Sequence, residues 1–316
     1  MNDHPRNPTD PNPPGAVPDL SDPAVVRRVL QKHGAHPQKA FGQYWLEDRK
    51  ALAQIVAAAE LVPGGAALEV GAGMGVLTLA LARTVGPAGR VVAVEIEREV
   101  LAILREVTAP LGNVEILPQN LLTVEPQALF QGRPYTFVAN LPYYLTASAL
   151  RHFLECAQPP ERMVVLVQEE VAERMTAAPG ALSLLGVSVQ FYGKASLVAR
   201  VPAASFYPPP KVDSAIARVD LYQQPPPDLA GVSREAFFTV VRAGFSQKRK
   251  TLRNALAMGL RQPADAIANW LMAAGIDGPR RAQTLTLEEW GRLALSLPAF
   301  PPPAPADHRD RTVSAE

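Results

Sequence analysis

The chain has 316 residues, 47% of them apolar and 19% charged, which is enough for one large domain and a smaller one. A single cysteine excludes an internal disulfide and a cysteine-based zinc site, and the five histidines show no metal-ligand spacing, so no metal is expected. The net charge of +1 indicates no partner, no apolar run has membrane-spanning length, and no signal segment is recognisable. These features predict a cytoplasmic protein.

Composition divides the chain into five segments. Residues 1–20 and 298–316 are rich in proline and polar residues and are predicted to be disordered tails. From 21 to 222, helical stretches alternate with short β-branched runs, which predicts an α/β domain with a mostly parallel sheet and helices on both faces. Residues 223–233 are a predicted linker, and 234–297 have the pattern of a small all-α domain.

The predicted elements of the first domain follow one another in regular order. It opens with a short helix, DPAVVRRVLQKHG, which ends at Gly34. The later helices are RKALAQIVAAAELV, GVLTLALARTV, REVLAILREVTAPLG, ASALRHFLECA and EEVAERMTA. The strands are AALEV, RVVAVEI, VEILPQN, YTFVANL and RMVVLVQ, followed by FYGKASLVARV and SAIARVDLYQ. The last two strands are expected to form a hairpin at the sheet edge.

A glycine-rich turn carries the first chemical signal. In ALEVGAGMGVLT a strand runs into Gly71, Gly73 and Gly75 and then directly into a helix, a pattern that lets a ligand approach the backbone. Glu95 ends the next strand, twenty residues after Gly75, where a carboxylate accepts both hydroxyls of a ribose. The alternative is that Glu95 only caps the following helix. Together the turn and the acid indicate a nucleoside cofactor, with S-adenosylmethionine and NAD as rivals.

Two asparagines end the next two predicted strands. Asn120 follows VEILPQ, where its side chain could hydrogen-bond the adenine amino group of the cofactor; an Asn in a turn is an equally good interpretation. Asn140 follows YTFVA and begins the sequence Asn-Leu-Pro-Tyr. Because open α/β sheets bind ligands at the carboxyl ends of their strands, both positions point to a site.

The sequence from Asn140 to Tyr143 fits methylation of an exocyclic adenine amine. That amine is a poor nucleophile because its lone pair is delocalised into the ring. The side-chain carbonyl of Asn140 and the backbone carbonyl of Leu141 could accept its two hydrogens and direct the lone pair, while Pro142 stiffens the loop. Tyr143 would stack on a base that has left its helix. Tyr144 is assigned to packing.

Motifs throughout the chain resemble one family. KAFGQYWLED (39–48), LEVGAGMGVLT (68–78), NLPYYLT (140–146), FYPPPKVDSAIARV (206–219), AGFSQKRKTLRNAL (243–256) and RRAQTLTLEEWGRLA (280–294) are similar to signatures of the 16S ribosomal RNA adenine dimethyltransferases. The resemblance implies a Rossmann-like class I methyltransferase domain followed by a helical domain. It also implies transfer of methyl groups from S-adenosylmethionine to N6 of two adjacent adenosines in a hairpin loop near the 3′ end of the RNA.

The resemblance assigns roles to particular residues. The cofactor contacts that it implies, with the glycine turn, fall on Tyr44, Leu46, Gly71, Gly73, Glu95, Asn120 and Asn140. Phe206 would be a second aromatic face around the target base, opposite Tyr143. The chain departs from the family at Tyr44, where Asn or His is common, at Asn120, where Asp is common, and at Trp45, usually Phe. The change at Asn120 keeps a carbonyl acceptor but removes a charge.

A basic stretch in the second domain suggests RNA contact. Between Ala236 and Ala264 there is no acidic residue, while Arg242, Lys248, Arg249, Lys250, Arg253 and Arg261 are basic. Lys211 in the first domain is a further candidate. The predicted partner is 16S ribosomal RNA within the immature small subunit, bound by a monomer.

Two other functions remain open on the sequence. One is a 23S ribosomal RNA adenine N6-methyltransferase of the macrolide-resistance type, which has a similar fold and catalytic loop, although FSQKRKTLRNAL and the helical tail resemble the 16S branch better. The other is an RNA-binding ribosome-assembly factor with little catalysis, which the intact sequence from Asn140 to Tyr143 disfavours.

Overall fold

The computed structural model describes residues 17–37 and 43–299, which form two compact units. The first unit contains Met1–Thr176 and Val189–Gln224, and the second contains Ala177–Ser188 and Pro225–Glu316. Composition predicts the end of the first domain at 222, two residues before Gln224, but assigns 177–188 to the first domain, whereas these residues group with the second unit.

Several sequence-based predictions lie outside the described residues. These are most of the two predicted tails, from 1 to 16 and from 300 to 316, and the first four residues, 39–42, of the motif KAFGQYWLED.

The first unit is an α/β unit whose elements follow the predicted order. Its strands are β1 (Trp45–Leu46), β2 (Ala66–Val70), β3 (Arg90–Glu95), β4 (Val114–Pro118), β5 (Thr136–Asn140), β6 (Arg162–Gln168), β7 (Gly193–Val201), β8 (Phe206–Tyr207) and β9 (Ser214–Leu221). Its helices are α1 (Pro23–His33), α2 (Arg49–Ala59), α3 (Val76–Val85), α4 (Arg98–Thr108), α5 (Pro126–Phe130), α6 (Thr146–Glu155) and α7 (Glu169–Met175). Helix α8 (Leu184–Tyr192) contributes residues to both units.

In the described part of the chain, seven strands form one mixed sheet in the order β4-β3-β2-β5-β6-β9-β7. The first five are parallel, and β9 pairs antiparallel with both β6 and β7. The predicted hairpin at the sheet edge is confirmed, with β9 as its inner strand and β7 as its outer one. Strands β1 and β8 form a separate antiparallel pair in which Leu46 is opposite Phe206.

Helices cover both faces of this sheet because successive side chains of a strand point to opposite sides. On β5, Val138 packs in a cluster with Ile55 of α2 and Leu81 of α3. The neighbouring Phe137 packs instead against Phe153 of α6, with ring centroids 4.6 Å apart. The predicted α/β architecture is therefore confirmed.

The second unit is helical. Its helices are α9 (Arg234–Phe245), α10 (Leu252–Leu260), α11 (Ala264–Ala273) and α12 (Leu287–Leu295). Trp290 of α12 is fully buried, and its ring lies 5.7 Å from that of Phe245. A capping box fixes the start of α12, because the side chains of Thr286 and Glu289 each accept a hydrogen bond from the backbone N–H of the other. In the described part of the chain, no helix combines the length and hydrophobicity needed to cross a membrane.

Candidate active site

A cavity lies at the carboxyl ends of the central parallel strands in the first unit. It is lined by residues at or just after the ends of β2, β3 and β5, together with residues of β1 and of the loop 140–145. The predicted site residues in its wall are Tyr44, Leu46, Gly71, Gly73, Glu95, Asn140 and Pro142. Gly71, Glu95 and Asn140, which come from the ends of different strands, therefore meet here because parallel strands end at the same edge of the sheet.

The glycine turn brings backbone into the cavity wall. Gly71 and Gly73 have φ values of +69° and +57°, a region that favours glycine because it lacks a Cβ. A Cβ at Gly73 would lie 3.3 Å from Nε1 of Trp45, so the position is crowded as well as left-handed. The turn thus requires glycine at position 73 both because of its left-handed backbone and because a Cβ there would crowd Trp45.

The carboxylate of Glu95 links the glycine turn to the end of β3. One oxygen accepts a hydrogen bond from the N–H of Gly73 at 2.8 Å. The other accepts from the N–H groups of Ile96 and Glu97 at 2.8 and 3.0 Å. The side chain therefore caps amides that precede α4, as the alternative interpretation held, and it also faces the cavity with its position fixed.

Glu69, the residue two positions before Gly71, also lines the cavity, although sequence analysis did not select it. Its side chain is buried, and Oε2 has no hydrogen-bond partner among the described residues. The pKa of Glu69 is raised to about 8, mainly by burial; the neighbouring Thr78 hydroxyl opposes the shift and the negative charge of Glu95 adds to it. An acid two residues before a G-x-G turn was the available signal for this residue.

Asn140 ends β5 with its amide orientation fixed. Its Nδ2 donates a hydrogen bond to the backbone carbonyl of Tyr44 at 2.9 Å, which directs the NH₂ group to one side and leaves the side-chain carbonyl oxygen as the other polar atom. The next residue, Leu141, is buried, and its N–H donates to the carbonyl of Leu166 in β6. The loop is therefore anchored on both sides of its first peptide bond.

Tyr143 is held by a hydrogen bond and by ring stacking. Its hydroxyl lies 2.9 Å from Oγ of the buried Ser214, and its ring stacks on that of Tyr44 with centroids 5.6 Å apart and planes 24° apart. Burial raises the pKa of Tyr143, and the hydrogen bond to Ser214 opposes this in part, so the phenol is neutral at pH 7. No local pattern in the sequence connects Ser214 to Tyr143.

At three residues the structure differs from the role that the sequence predicted. The ring of Phe206 is only 3% exposed and packs in the core cluster with Leu46, so it offers no face to a base in this conformation. Asn120 is exposed, and its side chain accepts from the N–H of Leu122, which is the turn role; its neighbour Gln119 lines the cavity instead. Tyr144, assigned to packing, is 64% exposed at the cavity.

The predicted RNA-binding residues are all exposed. Lys211 belongs to the first unit, and in the second unit Arg242, Lys248, Arg249, Lys250 and Arg253 extend from the end of α9 to the first turn of α10. Across the described ranges, the ion pairs within 4 Å of a carboxylate include none of these six cations. Their charge is therefore not neutralised by salt bridges there.

The fold and the cavity define a class of protein. The sheet has five parallel strands and a terminal antiparallel hairpin, which is the class I methyltransferase fold. The cavity adds a glycine turn after β2, an acid at the end of β3 and the sequence Asn-Leu-Pro-Tyr at the end of β5. A helical C-terminal region follows it. Residues 34–297 match the family described as "Ribosomal RNA adenine dimethylase", and the chain belongs to this family.

The similarity of the chain to individual proteins is consistent with its membership of this family. The chain is 42% identical over 279 residues to "Ribosomal RNA small subunit methyltransferase A" of Dehalococcoides mccartyi, covering 88% of this chain and 94% of the relative. The solved structure of 23S rRNA methyltransferase ErmE is 31% identical with a TM-score of 0.64, covering 80% of this chain and 99% of ErmE. A dimethyladenosine transferase from Plasmodium falciparum, 22% identical with a TM-score of 0.66, covers 79% of this chain and 96% of its own and shares the fold.

Proposed function

We propose that the protein transfers methyl groups from S-adenosylmethionine to N6 of two adjacent adenosines in the 3′-terminal hairpin loop of 16S ribosomal RNA. The product is N6,N6-dimethyladenosine. The observation that carries this proposal is the fixed amide of Asn140, whose NH₂ group is bound by the Tyr44 carbonyl at the wall of the strand-end cavity. Membership of the ribosomal RNA adenine dimethylase family supports the choice of adenine in RNA as the substrate.

The cavity residues fit S-adenosylmethionine. The left-handed backbone at Gly71 and Gly73 allows close approach of a ligand, and the fixed carboxylate of Glu95 suits ribose hydroxyls. The buried Oε2 of Glu69, which lacks a partner among the described residues, suits a positively charged group. Gln119 takes the position at the end of β4 that sequence analysis gave to Asn120. When bound, S-adenosylmethionine supplies an electrophilic methyl group.

Asn140 and Leu141 act by orienting a weak nucleophile. The side-chain carbonyl of Asn140 and the backbone carbonyl of Leu141 accept the two hydrogens of the adenine amine, which draws the nitrogen toward tetrahedral geometry and directs its lone pair. When the nitrogen forms its bond to carbon it becomes cationic, and it then releases a proton to water. An ionised base is therefore not required, which agrees with a site loop that contains an amide and a neutral phenol.

Tyr143 is the proposed stacking face for the flipped adenine. A phenol kept neutral by burial and held through Ser214 presents a fixed aromatic surface. We leave Phe206 out of this surface because its ring is in the core.

We propose that six exposed cations contact RNA phosphates. They are Lys211, Arg242, Lys248, Arg249, Lys250 and Arg253. The proposed partner is 16S ribosomal RNA within the immature small subunit, bound by a monomer in the cytoplasm, where ribosomes assemble. The 42% identity to a relative named for the small subunit, against 31% to ErmE, favours the small subunit over 23S RNA.

Labelled methyl transfer tests the proposal. The protein is incubated with methyl-labelled S-adenosylmethionine and either undermethylated small subunits or large subunits, and the RNA is digested to nucleosides. We expect label in N6,N6-dimethyladenosine from the small subunit alone. Label confined to large-subunit RNA would instead assign the 23S reaction, and tight binding to small subunits without label would assign a pure assembly factor.

A further inference from the structure

The ring of Tyr44 stacks on the ring of Tyr143, and of the two residues Tyr44 lines the cavity wall. The hydroxyl of Tyr143 is bonded to Ser214. Tyr143 is thus fixed at its hydroxyl end and covered on one aromatic face. This arrangement is specific to a chain that carries an aromatic residue at position 44.

The two rings leave no room for a base between them. Their centroids are 5.6 Å apart, and inserting a flat base would require about 7 Å, the sum of two carbon contact distances of about 3.5 Å. An adenine that uses this face of Tyr143 must therefore replace the ring of Tyr44.

Only the side chain of Tyr44 is available to move. Its backbone carbonyl accepts the hydrogen bond from Asn140 at 2.9 Å, and the next residue, Trp45, is buried and paired with Tyr207 in the two-stranded sheet. The main chain at position 44 is therefore anchored on the catalytic loop, and rotation about the side-chain bonds moves the ring without breaking that anchor.

We propose that the ring of Tyr44 covers one face of Tyr143 in the free protein and is displaced from it by the target adenine. The inference rests on the proposed function. Stacking of a nucleobase on an aromatic ring is stronger than the pairing of two aromatic side chains, so the exchange favours the base. The cost of displacing Tyr44 nevertheless weakens RNA binding and raises KM for RNA.

Three variants test this assignment. Tyr44→Ala removes the ring that covers Tyr143 and keeps the backbone carbonyl that holds Asn140. KM for undermethylated small subunits should therefore fall by roughly two- to tenfold, which corresponds to the interaction energy of one aromatic pair. Tyr44→Phe keeps the ring and should retain the wild-type KM within about twofold. Tyr222→Ala removes a tyrosine that is 40% exposed and does not line the cavity, and serves as the matched control. All KM values are measured at saturating cofactor, with cofactor Kd determined separately by calorimetry.

The results separate this inference from the proposed function. If the wild-type protein is active on small subunits and KM in Tyr44→Ala is unchanged or higher, the proposed displacement of Tyr44 is refuted. Tyr44 then either stacks on the base itself or takes no part in RNA binding. Wild-type protein that methylates no small-subunit RNA would instead overturn the proposed function. If Tyr44→Ala does not fold, fluorine NMR of wild-type protein labelled with fluorotyrosine decides the question. The Tyr44 resonance must move when a target hairpin RNA binds, and a resonance that stays unchanged contradicts displacement.

Discussion

A single hydrogen bond decides which polar atom Asn140 offers to a ligand. Because the Tyr44 carbonyl accepts from Nδ2, the carbonyl end of the amide remains as the acceptor, and the orientation is fixed before any ligand binds. Such preorganisation should affect the rate of reaction more than the binding of RNA, since the proposed phosphate contacts lie elsewhere.

Asn140→Ala should lower kcat by about 10²- to 10³-fold, comparable to the loss of one preorganised polar group in other active sites, and leave RNA affinity within about threefold. The matched control is Asn113→Ala. Asn113 donates two hydrogen bonds from Nδ2, to the carbonyls of Ala82 and Gly86, away from the cavity. That control should lose about 1–3 kcal/mol of stability and retain its kcat. Steady-state kinetics and filter binding measure both variants; equal losses of turnover and RNA affinity in Asn140→Ala would refute the assigned role.

Glu69 should make the stability of the ligand-free protein depend on pH. Burial raises its pKa to about 8 in the folded state, above the value of 4.5 for the unfolded chain, so folding takes up a proton between these pH values. The contribution of Glu69 to the free energy of unfolding therefore falls as pH rises from about 4.5 to 8, by at most about 1.4 kcal/mol per pH unit.

Glu69→Gln removes this titration and should gain stability over wild type as the pH is raised from 5 to 8. Urea unfolding at a series of pH values gives the difference between the two proteins, which cancels the other titrating groups. A difference that stays constant with pH would show that Glu69 is ionised in the folded protein.

At the scale of elements, strand ends were the predictable part of the site. Strands β2 and β6 match their predicted bounds, and the buried apolar runs of β3 and β5 differ by one or two residues at their ends. Parallel strands end at one edge, so Glu95 and Asn140 could be placed together without coordinates.

Long-range pairing was not predictable. Trp45–Leu46 and Phe206–Tyr207 are too short to show a period, and only their mutual pairing in the structure explains why Phe206 turns into the core. Helix α8 was missed because its glycine, serine and valine residues disfavour helix. Which of Gln119 and Asn120 faces the cavity depends on the conformation of the turn, which composition does not determine.

The glycine turn allows a prediction with a close control. Gly73 and Gly34 have φ values of +57° and +61°, but a Cβ would meet Trp45 only at Gly73, whereas nothing lies within 4 Å of a Cβ at Gly34. Both Gly73→Ala and Gly34→Ala should lose about 1–2 kcal/mol of stability from backbone strain. Only Gly73→Ala should also weaken cofactor binding, by roughly tenfold, because the turn must shift away from Trp45. Thermal unfolding and calorimetry test both; similar cofactor affinity in the two variants would remove Gly73 from the site.

For the whole molecule, the net charge hides an uneven distribution. The chain as a whole carries +1, yet residues 236–264 of the second unit contain no acidic residue. Local charge of this kind, and not net charge, determines attraction to a polyanion.

We expect weaker RNA binding when Gln replaces Lys248, Arg249 and Lys250. The slope of log Kd against log salt concentration should fall by about two, because each lost phosphate contact contributes about 0.7. The control replaces Arg83, Arg105 and Lys194, exposed cations of the first unit, and changes the net charge equally, from +1 to −2. Filter binding of a hairpin RNA over a range of salt concentrations measures both. The same slope change in the two triple variants would indicate a general charge effect and move the RNA-binding surface elsewhere.

The order of strands in the sheet also constrains how the chain can be synthesised and folded. Strand β9 lies between β6 and β7, so during translation β7 emerges from the ribosome before β9, the strand with which it pairs in the described sheet, has been made. Until residue 221 is free, β6 is an open edge whose unpaired backbone groups can join other chains. A chain truncated after Asp213 and released from the ribosome should therefore be cleaved rapidly within 193–201 by added protease, whereas a nascent chain stalled well beyond Leu221 should resist cleavage there. The larger part of the helical unit, from Pro225 onward, is synthesised after β9, so the ribosome is translating it while the sheet closes.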